Sequence, residues 1–139
     1  MGATPTGRRG ALQALAAGVL AAPWALPAWA QEAQARERLQ AAQAATLGVQ
    51  VRAVSGAGSA STLGRQREGS GVLVALPGAP EGLVLTIGYL VLEADEVLLQ
   101  LDDGRRLPAR VVGYDQATGF GLVQALAPLG IAPVPLGRS

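Results

Sequence analysis

From Thr46 onward, short apolar runs alternate with polar positions, and turn residues separate them. Val49 and Val51 fall on one side of an extended chain, with Gln50 and Arg52 on the other. Such alternation is typical of a strand with one buried face. Counting this one, 46–54, six strands are expected, the others over 70–76, 83–88, 96–101, 106–115 and 119–126. Six short strands joined by turns predict an all-β domain, a small antiparallel barrel or sandwich.

The connections between these strands differ in character. Asp102-Asp103-Gly104-Arg105 joins two strands, and Asp-Gly supplies the left-handed conformers of a tight hairpin. Residues 55–69 are small and polar, which predicts a flexible loop. No segment after residue 46 has the length of a regular helix, so a parallel sheet with crossover helices is not expected.

Residues 1–30 have the features of a secretory signal. Arg8 and Arg9 form a positive start, an apolar run rich in Ala and Leu follows, and a closing Ala-Trp-Ala predicts cleavage after Ala30. A membrane anchor is the alternative, but the run is short and Pro23 interrupts it. The paired arginines leave twin-arginine export open beside the general secretory route. This segment predicts a periplasmic or secreted protein.

Residues 31–45 are rich in Ala, Gln, Arg and Glu and contain neither Gly nor Pro. These residues favour helix. Because the apolar content is nearly all Ala, we expect a helical or flexible leader that packs weakly. A helix that mediates contacts between subunits is the alternative.

The amino-acid composition argues against several functional classes. The 139 residues include no His and no Cys, and all eleven basic residues are Arg. Zinc and copper sites favour imidazole and thiolate, so no metal and no cofactor is predicted. Serine hydrolysis lacks its usual His or Lys base. The formal net charge is +1, and −1 without residues 1–30, so the chain has no basic field for nucleic acid.

Several segments of residues 46–139 follow one another in a distinctive order: REGSGVLV, a strand ending in LT, EADEVLLQLDDGRRLPARVVGYDQATGFGLVQAL, and PLGRS. Together they resemble the N-terminal half of a trypsin-like serine protease of the bacterial Deg/Htr type. No single segment is specific, and the resemblance depends on their order. It implies an antiparallel six-stranded Greek-key barrel over 46–139, the first of two barrels, preceded by the leader at 31–45.

The resemblance also locates two catalytic positions. The family carries its catalytic His in a segment L-T-x-x-H-V-V, and LTIGYLV places Tyr89 at that position. The segment DQATGFGLVQ matches the one that carries the catalytic Asp, and Gly119 occupies its place. The sequence ends at Ser139, before the second barrel that supplies the nucleophilic serine in the family. The resemblance therefore implies that this chain holds no catalytic residue.

Proton chemistry explains why these replacements matter. Imidazole has a pKa of about 6.5, whereas a phenol has a pKa of about 10 and is a poor base at neutral pH. A glycine cannot orient a partner, and losing triad members costs about 10⁴ to 10⁶ in rate. We expect Tyr89 to pack at a strand end with its hydroxyl toward solvent or a backbone carbonyl. Ser70, between two glycines, is expected at a strand entry rather than as a nucleophile.

The other polar candidates are three groups of charged residues that we expect at the surface, as turn carboxylates, an acidic loop and a basic hairpin. The groups are Asp102, Asp103 and Asp115; Glu93, Asp95 and Glu96; and Arg105, Arg106 and Arg110.

Two functional hypotheses follow. The first is an exported, non-catalytic homologue of the proteases that binds extended peptides or proteins through exposed strand edges. Its own second barrel or another subunit is an alternative partner. The second hypothesis is the N-terminal part of a longer serine endopeptidase, or of a decayed one, whose second barrel lies beyond Ser139. The reading frame after Ser139 would separate the two hypotheses.

Overall fold

A computed structural model describes Gly2 and residues 24–138. The chain divides into two compact units, Met1–Arg36 and Glu37–Ser139. The helices are α1 (Ala28–Ala44), α2 (Ala60–Leu63) and α3 (Gly88–Val91). The strands are β1 (Thr46–Ala53), β2 (Gln66–Leu76), β3 (Ala79–Ile87), β4 (Ala94–Gln100), β5 (Arg106–Asp115), β6 (Phe120–Ala125) and β7 (Val134–Pro135).

Strands β1 to β6 form a closed antiparallel barrel. Around the ring the order is β1, β4, β5, β6, β3 and β2, and β2 pairs with β1 to close it. Strands β4 to β6 are joined by successive hairpins, whereas β3 returns beside β6, which is a Greek-key connection. The six-stranded barrel predicted from the sequence is confirmed. Strand β7 adds two residues in parallel to β2 and was not predicted.

The barrel interior is filled by aliphatic side chains from facing strands. Val49 and Val51 are buried and Arg52 is exposed, as the alternation predicts. The largest fully buried side chains are Leu73, Leu99, Val49, Val84 and Val123. Each stabilises the fold by roughly 1.5–3 kcal/mol through burial. The apolar alternation of the strands therefore defines the core directly.

The β4–β5 hairpin has the predicted turn. The Leu101 amide donates to the Arg105 carbonyl at 3.0 Å, and Gly104 lies at φ +85°. Asp103 accepts from the backbone and the guanidinium of Arg105 at 2.9 and 2.6 Å, and these bonds lower its pKa. The Asp-Gly pair is turn chemistry, as expected.

The flexible loop predicted over 55–69 is wrong at its C-terminal end. Residues 60–63 form α2, and Gln66–Gly69 already belong to β2, where they pair with β1. Polar composition hides this strand because Gln66 and Glu68 face outward while Arg67 alone is buried. Similarly, β3 begins at Ala79, before the predicted start at Leu83, and ends at Ile87, because the predicted last residue, Gly88, begins α3.

The predicted leader helix is present as α1, and none of its residues is buried. The expected cleavage position after Ala30 falls inside α1. Most of the predicted secretory segment, residues 3–23 with Arg8 and Arg9, lies outside the described residues. Within the part of the chain that the structure describes, no helix has the length and apolar character needed to cross a membrane.

Candidate functional site

The short helix α3 presents Tyr89 at one end of the barrel. Gly88, Leu90 and Val91 are buried, and the last two belong to the hydrophobic core. Tyr89 lies between them with 54% of its surface exposed. The apolar neighbours therefore anchor the helix and turn the phenol outward. Tyr89 was expected to pack at a strand end, but it lies in the helical turn that follows β3 and is half exposed.

The β5–β6 turn brings Gly119 to the same end. The Asp115 carboxylate accepts from the Ala117 amide at 3.0 Å and from the Thr118 hydroxyl at 2.7 Å. These bonds lower the pKa of Asp115, and the bond from the Thr118 hydroxyl is the largest cause. Gly119 has φ +75°, a left-handed conformation that favours glycine. Asp115 thus shapes the turn, as the sequence predicts, and Gly119 closes it.

The two positions are adjacent in space. The Gly88 amide, next to Tyr89, donates to the Gly119 carbonyl at 2.6 Å. The Tyr114 ring lies over Gly88 so closely that a Cβ at Gly88 would collide with it. The sequence separates Tyr89 and Gly119 by thirty positions, and the barrel joins them. The site retains a close backbone arrangement but offers a phenol beside a residue without a side chain.

Several exposed apolar side chains lie on the segments around this junction. Ile87 and Phe120 are direct cross-strand partners on β3 and β6, 41% and 49% exposed. Tyr114 is 44% exposed, and its ring lies against Gly88. We call Ile87, Tyr89, Tyr114 and Phe120 the aromatic rim. Every aromatic residue of the chain after Trp29 belongs to it. Sequence analysis missed this surface because Tyr89, Tyr114 and Phe120 lie on three different elements, α3, β5 and β6.

A buried arginine supports α3 from the opposite side. Arg67 is 6% exposed, and its guanidinium donates to the carbonyls of Tyr89 and Leu92 at 3.0 and 2.7 Å. It also donates to the Gly64 carbonyl at 3.0 Å and the Ser59 hydroxyl at 2.7 Å. Sequence analysis did not single out Arg67. Its signal was a basic residue at an inward position of the strand, with Gly71 and Leu73 following on the same face.

Glu93 lies exposed in the turn before β4, as the acidic loop prediction expects, whereas Asp95 and Glu96 belong to β4 and not to a loop. Its carboxylate accepts from the Gly58 and Ser59 amides at 3.2 and 2.9 Å and from the Ser59 hydroxyl. The bond from the Ser59 hydroxyl is the main cause of the lowered pKa of Glu93. Glu96 also has a partner, because it pairs with Arg52 at 2.6 Å. Glu93 therefore holds the preceding loop.

The remaining candidates have structural roles or stand apart. Ser70 lies within β2, and its carbonyl accepts from the Thr86 hydroxyl at 2.8 Å. Arg110 donates to the Gln124 side chain on the neighbouring strand at 3.0 and 2.7 Å.

Among the described residues, no group of His, Cys, Asp and Glu is arranged to hold a metal ion. An open cleft of about 580 Å³ between residues 78–82 and 124–133 contains no residue of the aromatic rim.

Comparison with known proteins identifies the class. Residues 69–139, half of the chain, match the family of trypsin-like peptidase domains. The chain therefore belongs to that family. Within it, the chain resembles the Deg/HtrA proteases, as the sequence motifs predicted.

The relatives give the extent of the likeness. A probable periplasmic serine protease do/HhoA-like of Haemophilus influenzae is 35% identical over 71 residues, 51% of this chain and 15% of that protein. The periplasmic serine endoprotease DegP of Salmonella typhimurium is 33% identical over 88 residues, 60% of this chain and 18% of its own length. The chain thus spans less than a fifth of these curated relatives.

Solved structures show the same fold. An HtrA-type protease, AlgW, with a tripeptide superposes with a TM-score of 0.56 at 22% identity, over 74% of this chain and 29% of that one. A serine endoprotease from Yersinia pestis gives a TM-score of 0.55 at 20% identity, over 73% and 32% of the two chains. The barrel is therefore a trypsin-like barrel of the HtrA kind.

Proposed function

We propose that this chain is an exported, non-catalytic member of the trypsin-like family that binds peptides or proteins. The observation that carries the proposal is the junction of Tyr89 and Gly119. Resemblance to the Deg/Htr pattern puts the catalytic His and Asp at these two positions. The Gly88–Gly119 hydrogen bond brings them together, but a phenol and a bare backbone occupy them.

Composition supports the loss of catalysis. A serine hydroxyl needs a base to remove its proton, and the known bases are imidazole and amine side chains. The 139 residues contain neither. The carboxylates nearest to the junction in sequence are Asp115 and Glu93, and their hydrogen bonds keep both weak bases. Peptide hydrolysis by this chain alone would lack its proton acceptor.

The aromatic rim is the binding surface that we propose. Large exposed aromatic groups that cluster on a small domain mark interaction sites. The rim carries no charge of its own, and Asp115 beside it bonds to its own turn. An uncharged, apolar or aromatic part of the partner would fit this surface best.

An extended peptide is the partner class that the strand geometry favours. Closure of the barrel pairs each strand with two neighbours over part of its length, so long free edges of the kind expected from the sequence do not occur in β1–β6. The pairing of β5 with β4 ends at Ala109, which leaves residues 110–115 paired only with β6, apart from Val112 at a β-bulge. This short free side leads directly to Tyr114 of the rim. Its backbone groups could bind an extended segment while the rim holds the side chains.

Unfolded casein serves as the probe for this function. The full chain should bind casein in an equilibrium binding assay and leave it uncut on gels. Replacing Tyr89 and Phe120 by Ala should weaken binding about tenfold or more, since exposed aromatic anchors dominate such surfaces. Leu126→Ala, at a site that is 58% exposed outside the rim, is the matched control and should bind normally. Equal binding by the rim variant, or cleavage of casein, would contradict the proposal.

A second candidate is the N-terminal part of a longer serine endopeptidase or decayed protease. The short coverage of the relatives favours it, since the chain matches only 11–18% of the curated proteins. Sequencing the transcript past the codon for Ser139 tests it. A downstream G-x-S-G-G segment would favour this candidate, and a stop codon would favour the binding module. The same surface would then contact the second barrel instead of a peptide.

We also propose a periplasmic or secreted location. The relatives are named as periplasmic proteases, and residues 1–30 have the features of an export signal. Cell fractionation with N-terminal sequencing should find a protein that begins at Gln31. A cytoplasmic protein that retains Met1 would overturn this assignment.

A further inference from the structure

The loop before β2 and the helix that carries Tyr89 are joined by one hydroxyl group. Ser59 Oγ accepts from the Arg67 guanidinium at 2.7 Å and contacts the Glu93 carboxylate. The second partner is an ionised acceptor, so the hydroxyl proton is directed to Glu93. Ser59, Arg67 and Glu93 therefore form one continuous network, which we call the Ser59 network.

Arg67 connects the network to α3, the helix that carries Tyr89. Its four described partners are neutral oxygen atoms, and two of them are the Tyr89 and Leu92 carbonyls at the end of α3. A four-residue helix leaves such carbonyls without partners inside the helix. A cation at that end is also favourable for the helix. Moving the guanidinium would therefore release α3.

Glu93 connects the network to the loop that contains Gly58 and Ser59. Three hydrogen bonds join its carboxylate to Gly58 and Ser59, and its own carbonyl accepts from the Val54 amide at 2.9 Å. It is also the one non-glycine residue with a positive φ, +54°, among the described residues. A residue with a side chain in that conformation persists where its surroundings outweigh the strain. The carboxylate bonds provide that compensation.

We propose that the Ser59 network is a coupling device that makes the loop 54–64 and α3 open and close together. This inference goes beyond peptide binding, because it concerns how the position of Tyr89 is controlled, whatever binds there. A ligand that holds the loop would also hold Tyr89, and a partner bound at the rim would stabilise the loop by the same factor. Such reciprocity is required of any coupling between two sites.

Hydrogen exchange in the full chain tests the coupling. The Leu63 and Gly64 amides, bonded to Ser59 and Ala60 carbonyls, report on the loop, and the Gly88 amide, bonded to Gly119, reports on α3. Ser59→Ala removes only the bridging hydroxyl. We expect exchange at all three amides to rise about tenfold, as for a hydrogen bond to a charged group. The Leu73 amide, bonded to the Ala45 carbonyl inside the barrel, should not change.

Two further variants sharpen the test. Glu93→Gln keeps the shape of the acceptor but removes its charge, so it should raise exchange in both segments by a smaller factor. Arg52→Met removes an ion pair that is half exposed on the same barrel and should change none of the reporters. Faster exchange in the loop with an unchanged Gly88 amide would overturn the coupling. An equal rise at Leu73 would also overturn it, because it would show global destabilisation.

The NMR resonances of the Tyr89 ring provide a further measurement, because a change in global stability alone would not shift them. Their assignment comes from comparison with Tyr89→Phe. In Ser59→Ala the ring resonances should shift, since α3 loses part of its support. Unshifted resonances, together with an unchanged Gly88 amide, would show that the loop and the site are independent.

Discussion

An imidazole placed at position 89 measures whether positions 89 and 119 face each other. The chain contains no histidine, so Tyr89→His introduces a single imidazole whose titration is unambiguous in an untagged protein. The second change, Gly119→Asp, restores a carboxylate at the other position. The pKa of the imidazole is then compared between the single and the double variant by NMR titration.

The expected shift follows from the distance. The Gly88 amide and Gly119 carbonyl are 2.6 Å apart, so side chains on these segments can approach to about 5 Å. At that separation an ion pair is worth about 0.8 kcal/mol in water and about 3.3 kcal/mol near a protein surface. Division by 1.36 kcal/mol gives an increase of about 0.6 to 2.4 pKa units. Tyr89 is half exposed, so we expect a rise of about one unit, from about 6.5 to about 7.5.

A matched control separates proximity from backbone strain. Gly119 and Gly104 lie at φ +75° and +85°, so an aspartate costs about 1 kcal/mol or slightly more at either position. Gly104 lies in the β4–β5 turn. Tyr89→His with Gly104→Asp should therefore lose similar stability but leave the imidazole pKa near that of the single variant. Equal pKa values in the 119 and 104 variants would refute the adjacency of the two positions.

Three further perturbations test the fold. Leu99 is fully buried, so Leu99→Ala should cost about 2–5 kcal/mol in urea denaturation, whereas exposed Leu126→Ala should stay within about 0.5 kcal/mol; equal effects would contradict the assigned core. A Cβ on Gly121 would lie 2.6 Å from Val91 Cγ2, so Gly121→Ala should destabilise by about 1–3 kcal/mol through overcrowding beneath α3, and a neutral effect in the same assay would argue against that packing. The pKa of Glu93 lies below its ordinary 4.5, and those of Asp103 and Asp115 lie below 3.8. Carboxylates with a lowered folded pKa stabilise above their unfolded values and lose that contribution as pH falls through the folded ones. Thermal unfolding should therefore shift downward below about pH 4.5, less so in Glu93→Gln, and a melting temperature that is flat to pH 3 would contradict these bonds.

The barrel was predictable because its information is local and periodic. The alternation around Val49 and Val51 marks a buried face, and Asp103-Gly104 marks a hairpin. Where the prediction failed, the missing information was not local. Gln66 to Gly69 are polar or small, and only their pairing with β1 makes them a strand. Tertiary pairing overrode composition there.

Tyr89 and Gly119 were proposed as site positions through family resemblance, not through periodicity. Their neighbourhood was not predictable, because it depends on contacts between distant segments. Glu93 and Ser59 are 34 positions apart, and Arg67 reaches Leu92 across 25. In the sequence, an arginine that donates to the carbonyls of a buried helix end cannot be distinguished from an arginine at the surface. The aromatic rim was missed for the same reason, since Tyr89 lies on α3 while Tyr114 and Phe120 lie on β5 and β6.

Labelling with a fluorescent organophosphonate tests the absence of catalysis most directly. The full chain is incubated with the probe near neutral pH, beside a periplasmic Deg protease as positive control, and then digested and analysed by mass spectrometry. We predict no serine adduct above the level found in heat-denatured protein, and no casein cleavage. Stoichiometric labelling of one serine, lost on denaturation and accompanied by casein cleavage, would contradict the account.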